Sequence, residues 1–168
     1  PNGIDEIEKE LRKYYINRGY NLDYFLLGTG LKQLLFVIIS LFPGNIYQIT
    51  PAWVSYKEQC TIAKKQLYNI ETDYITNYKI TPNDLLQIKN TEPKLLIFNN
   101  PSNPTGIVYT EEELKELAPI LINNNWIILS DEIYSNLVYT GNYTSISKYC
   151  PTNTLVGYSL SKDVSCGG

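Results

Sequence analysis

The residues best able to do chemistry lie in three short polar clusters: Asn99-Asn100-Pro101-Ser102-Asn103-Pro104-Thr105-Gly106, Ser130-Asp131-Glu132-Ile133-Tyr134 and Ser159-Leu160-Ser161-Lys162. Each follows an apolar run of strand length, and open α/β sheets bind ligands outside the carboxyl ends of their strands. The clusters can therefore converge on one edge. Between them they offer an amide, a carboxylate, a phenol and a primary amine. That set suits a pyridoxal ring, which needs an anion beside its pyridinium nitrogen, donors beside its phenolic oxygen and an amine for its aldehyde.

Other chemistries are excluded by what the chain lacks. It has no histidine, which removes Ser-His and Cys-His nucleophile systems and histidine-ligated metals. Cys60, Cys150 and Cys166 are too widely spaced for a zinc pattern and odd in number, so reduced structural thiols are expected and no metal site is. A net charge of -3 without long Lys/Arg clusters argues against nucleic acid as a partner. The longest apolar stretch, Leu34 to Phe42, falls short of the ~20 residues that cross a bilayer. No signal peptide is visible at the start, so no membrane association and a cytoplasmic setting are expected.

The elements that must position the clusters follow from hydrophobic periodicity. At 43% hydrophobic and 18% charged residues, the 168-residue chain suits one domain with a core. Ile4, Ile7, Leu11 and Tyr14 or Tyr15 recur at helical spacing, with Gly19 as a stop. Tyr24-Phe25-Leu26-Leu27 reads as a strand entering Gly28-Thr29-Gly30, and Leu31 to Phe42 as a largely buried helix ended by Pro43-Gly44. Ile46 to Ile49 is a short strand, Trp53 to Lys64 a helix and Gln66 to Ile70 a further strand. The runs Leu95 to Phe98, Trp126 to Leu129 and Leu155 to Tyr158 read as buried strands. Between the first two lies a helix from about Thr110 to Asn123, with Thr110 and Glu113 in a capping-box pattern. Asn103, Asp131 and Lys162 recur at about the ~30 residues of one strand-helix-strand repeat, which predicts a mostly parallel sheet with helices on both faces, an α/β fold.

Asn-Pro-Ser-Asn-Pro-Thr-Gly, Asp-Glu-Ile-Tyr and Ser-Leu-Ser-Lys, in this order and spacing, resemble the class I aminotransferases, the aspartate-aminotransferase-like enzymes of pyridoxal-phosphate (PLP) fold type I. The likeness runs from about Asp23 to Gly168 and includes Gly-Thr-Gly-Leu-Lys-Gln and Pro-Ala-Trp-Val-Ser-Tyr. It implies a PLP enzyme in which Lys162 forms a Schiff base with the cofactor and then carries a proton between the substrate Cα and the cofactor. Asp131 would keep the ring nitrogen protonated, Asn103 and Tyr134 would donate to the phenolic oxygen, and Trp53 would stack on the ring. Ser159 would bind the phosphate, as would the helix start at Gly30, Leu31 and Lys32. Leu31 departs from the small or hydroxylated residue usual in the family, so only a backbone contact is expected there. Ser161 has a weaker claim.

Each residue also has an ordinary use. Lysines are mostly solvated, Asp131 could serve a turn, Asn103 sits in a proline-flanked turn, Tyr134 is one of fifteen tyrosines, and Trp53 could be core, as Trp126 is expected to be.

The resemblance implies an amino acid and a 2-oxo acid as substrates and a homodimer when full length. It also implies that residues 1–168 are a partial large domain: the family's N-terminal segment, its downstream arginines and its small C-terminal domain lie outside this sequence. Little or no transaminase activity is expected of the 168 residues alone. Two alternatives stay open: another fold type I enzyme, such as a lyase resembling 1-aminocyclopropane-1-carboxylate synthase, and a non-catalytic PLP-binding regulator domain or remnant.

Overall fold

The computed structural model describes residues 5–21 and 23–165. Ile4 and Cys166 therefore lie outside the described residues. Helix α1 (Asp5–Ile16) opens with Asp5, Glu6 and Glu8 and has Lys13 in its last turn, charges that complement the helix dipole. It stops before Gly19, whose φ of +85° suits glycine.

The strand expected at Tyr24 to Leu27 does not form. The segment pairs with no neighbour, and Tyr24 is 94% exposed. An apolar run is a strand only where a neighbouring strand accepts its backbone, and this segment has no such partner among the described residues.

Helix α2 (Leu31–Leu41) follows, then strand β1 (Asn45–Thr50), helix α3 (Val54–Ile62) and strand β2 (Leu67–Glu71). α2 is less buried than expected: Leu31, Leu35 and Ile39 form its inner face, while Leu41 points to solvent. Helix α4 (Pro82–Leu86) is an addition to the expected set. The Asp84 carboxylate accepts from the Thr81 N–H at 2.7 Å and the Thr81 hydroxyl at 2.8 Å, with Pro82 in the first turn, a start signal present in the sequence.

Strand β3 (Lys94–Asn99), helix α5 (Glu111–Asn123) and strand β4 (Trp126–Asp131) match expectation closely. The Thr110 hydroxyl accepts from the Glu113 N–H at 3.2 Å and the Glu113 carboxylate accepts from the Thr110 N–H at 2.7 Å, the anticipated capping box. Two 3-10 turns, Ser135–Leu137 and Ile146–Lys148, lead to strand β5 (Thr154–Gly157) and helix α6 (Leu160–Asp163). β5 is not the buried strand expected. It is an edge strand, with Leu155 47% and Val156 37% exposed, because it is paired on one side only.

The five strands form one parallel sheet in the order β2-β1-β3-β4-β5. Even-numbered side chains of β4, among them Trp126 and Ile128, pack with Leu114, Leu117 and Leu121 of α5 on one face. Leu129 packs on the other face with Leu31, Leu35 and Ile39 of α2 and with Tyr56 and Cys60 of α3. Trp126 is core, as expected, and Cys60 and Cys150 are buried free thiols. Burial pushes the Cys60 thiol up to about 11, out of the reactive range. Among the described residues there is no potential metal cluster and no helix long and apolar enough to cross a membrane.

Candidate active site

Parallel register brings the polar clusters together. Asn99 at the end of β3 lies opposite Asp131 at the end of β4, and Asp131 lies opposite Gly157 at the end of β5. The first two clusters are then locked by backbone bonds. The Asp131 carbonyl accepts from the Asn100 N–H at 3.1 Å and the Asn99 side-chain amide at 3.0 Å, while the Glu132 N–H donates to the Gly157 carbonyl at 2.8 Å.

Asp131 points to the α2/α3 face and is 3% exposed. Burial raises its carboxyl above the usual aspartate range. A hydrogen bond from Tyr56 Oη to Oδ2 at 2.5 Å and one from the Ile133 N–H to Oδ1 at 3.3 Å act against that shift. Tyr56 is thus a site residue that the sequence reading missed. It lies in the Pro51-Ala52-Trp53-Val54-Ser55-Tyr56 run, three residues beyond Trp53, on the next inward turn of α3.

The Asn99 Oδ1 accepts from the Asn103 N–H at 2.7 Å, which folds the loop back and turns the Asn103 side chain toward Tyr134. The Asn103 Nδ2 and Tyr134 Oη stand 3.5 Å apart, at the outer limit of a hydrogen bond. Both donors remain able to serve a shared acceptor.

Helix α2 begins at Gly30, whose φ of +151° disfavours any side chain. No side chain caps the helix, so its first N–H groups are open to an anion. The Leu31 side chain is buried, its Cδ1 only 2.7 Å from where a Cβ at Gly157 would stand, so this position presents backbone alone. Lys32 reaches sideways, with its ammonium 5.4 Å from the centre of the half-buried Trp53 ring, which in turn meets Tyr56 edge to face at 5.3 Å.

Ser159 caps α6 by accepting from the Ser161 N–H at 3.2 Å, and its hydroxyl lies 2.6 Å from that of Ser161. Lys162 follows on the exposed side of α6. The structure therefore joins Asn103 to Tyr134, Asp131 to Tyr56, and Lys32 to Trp53. It brings the β5–α6 turn beside β4 without placing Lys162 against another site residue.

The domain is an open parallel α/β sheet that presents a buried carboxylate, an amide-phenol pair and an uncapped helix start along one edge, and its fold is that of the fold type I aspartate aminotransferases. The chain belongs to the aminotransferase class I and II family, whose sequence pattern matches residues 1–168. It is 36% identical to an aspartate aminotransferase of Bacillus sp. (strain YM-2), over 89% of this chain and 40% of that protein. With the aspartate/prephenate aminotransferase of Thermus thermophilus it shares 32% identity over 92% of this chain and 42% of the relative. The solved aspartate aminotransferase of Thermotoga maritima superposes with a TM-score of 0.87 at 30% identity, covering 99% of this chain and 46% of that one. The chain thus spans less than half the length of these relatives.

Proposed function

We propose that this chain is part of a PLP-dependent aminotransferase that moves an amino group from an amino acid to a 2-oxo acid, with Lys162 as the catalytic lysine and cytoplasm as its setting. The observation that carries the reading is Asp131: a buried carboxylate, oriented by Tyr56, at the carboxyl end of a central strand. Burying such a group is costly unless it is paired, and a protonated ring nitrogen supplies the pairing charge.

The donor set fits the cofactor. PLP, when bound, supplies the aldehyde that takes the amino group and the ring that accepts electron density. The chain's residues do the rest. Asp131 holds a proton on the ring nitrogen. Asn103 and Tyr134 donate to the phenolic oxygen. The backbone at Gly30, Leu31 and Lys32, together with Ser159, takes the phosphate. Trp53 covers the ring, and Lys32 steadies the indole from its side. Lys162 would supply the primary amine for the aldehyde and would carry the proton at the substrate Cα.

The test is made on the protein that carries this chain. Borohydride reduction with PLP should fix the cofactor at Lys162 in a peptide map, and a 2-oxo acid should sustain amino transfer from an amino acid. Attachment at another residue removes the role of Lys162. Elimination products without oxo-acid-dependent transfer refute the aminotransferase reading.

A further inference from the structure

Glu132 takes no part in the roles above, yet it is 0% exposed. Its side chain lies on the α5 face of the sheet, opposite Asp131, because neighbouring residues at a strand end point to opposite faces. Three hydroxyls from three segments hydrogen-bond to it, with the buried Tyr143 hydroxyl beside them. Tyr20 donates to Oε2 at 2.7 Å, while Ser130 and Ser145 donate to Oε1 at 2.8 and 2.5 Å.

No cation pairs with this carboxyl among the described residues. Burial raises its protonation range, and the hydroxyl donors act against that. A buried carboxyl without a counter-ion is costly, and here the three hydrogen bonds that offset the cost also fix its geometry.

The three partners show what that geometry is. Tyr20 stands on the segment between α1 and the Gly28-Thr29-Gly30 turn, and its ring meets Tyr15, which packs in turn on Tyr158 after β5. Ser145 caps the 3-10 turn that precedes β5. The Glu132 N–H holds Gly157. One residue therefore ties the chain ahead of α2, the chain ahead of β5 and the end of β4 to a single point next to Asp131.

We propose that Glu132 is a positioning residue of the cofactor site: gripped by Tyr20, Ser130 and Ser145, it fixes the carboxyl end of β4 relative to the segment leading into α2. The inference rests on the PLP reading above and goes beyond it, since Glu132 itself touches no cofactor.

The experiment measures equilibrium PLP binding and cofactor-free thermal stability of the full protein for wild type, E132Q, Y20F and the double variant. E132Q should weaken PLP binding about tenfold and Y20F about threefold, the size of one or two altered hydrogen bonds. The double variant should bind no more weakly than E132Q, because the effect of Tyr20 runs through Glu132. An E132Q protein that melts lower yet binds PLP as wild type makes the role merely structural and overturns the proposal, as does additivity in the double variant. Should E132Q fail to fold, Y20F and S145A decide: weaker binding in both supports the proposal and unchanged binding in either overturns it. A wild type that takes up no PLP overturns the functional reading and this inference together; uptake with variants unchanged overturns the inference alone.

Discussion

The ends of β3 and β4 and the end of β5 carry the two halves of the site and are built differently. On the central strands Asn99 bonds at both ends of its amide, the Asp131 carbonyl takes two donors, and Asp131 and Glu132 are closed off from solvent, while the buried Asn100 Nδ2 and Trp126 Nε1 find no partner. On the edge strand, Leu155 and Val156 are half exposed and Lys162 rides a four-residue helix. On the proposed reading, the group that holds a fixed charge, Asp131, lies where the sheet is closed off from solvent. The proposed catalytic lysine, Lys162, lies on the exposed edge.

Replacing the central actor of each half should break the contrast most sharply. K162A should abolish the visible absorbance of bound PLP and essentially all turnover, with stability changed by no more than about 0.5 kcal/mol, the usual limit for an exposed side chain. D131N should keep the lysine-bound cofactor but slow amino transfer by about 10²-fold or more. The raised carboxyl of Asp131 adds a sign: the cofactor-free fold is favoured when this group is protonated, and that contribution is lost as pH rises through its folded value. PLP affinity, which needs the ionised form, should run the other way and fall as pH drops through the same range. D131N should flatten both trends, and a D131N protein that keeps the pH dependence would remove Asp131 as its source.

Amide exchange sharpens the comparison without mutation. The N–H groups of Ile97 and Leu129 should exchange only on global opening, and those of α6 at least about 10²-fold faster by local opening. Equal protection would erase the distinction between the two halves.

Removing Asn99 tests the central half alone. N99A takes away the donor to the Asp131 carbonyl and the acceptor of the Asn103 N–H, which should cost about 1–3 kcal/mol in denaturant unfolding and loosen PLP binding. Stability loss without weaker binding would mean that the loop holds the fold but not Asn103.

The smallest effect concerns a second carboxylate, on the surface of α5. Glu111 is held down to about 2 by hydrogen bonds from Tyr149, Lys148 and Lys115, the opposite of Asp131. Its contribution is present above the ordinary glutamate range and is lost as pH falls toward about 2. E111Q should therefore reduce the acid sensitivity of the melting temperature slightly; an unchanged acid limb would show that the cluster contributes nothing.

Legibility followed the range of the forces involved. The capping box at Thr110 and the apolar runs of β3 and β4 were readable because caps and buried strands are local patterns, and the register that aligns Asn99 with Asp131 follows from three similar repeats. Tyr24 to Leu27 misled because pairing is not local. β5 misled for the same reason: four apolar residues look alike in the middle of a sheet and at its edge. Tyr56 and Glu132 were hidden more deeply, since each gains its role from residues 75 and 112 positions away, Asp131 and Tyr20.

The contact between Leu31 and Gly157 carries one more consequence. A methyl group at 157 would collide with the leucine side chain at 2.7 Å, at the point where the start of α2 meets the end of β5. The space beside Gly157 is filled by the Leu31 side chain. A side chain at 157 would therefore require the Leu31 methyl to turn aside. A smaller residue at 31 should leave room for alanine at 157, so the spacing between the start of α2 and the serine-lysine turn depends on both residues together.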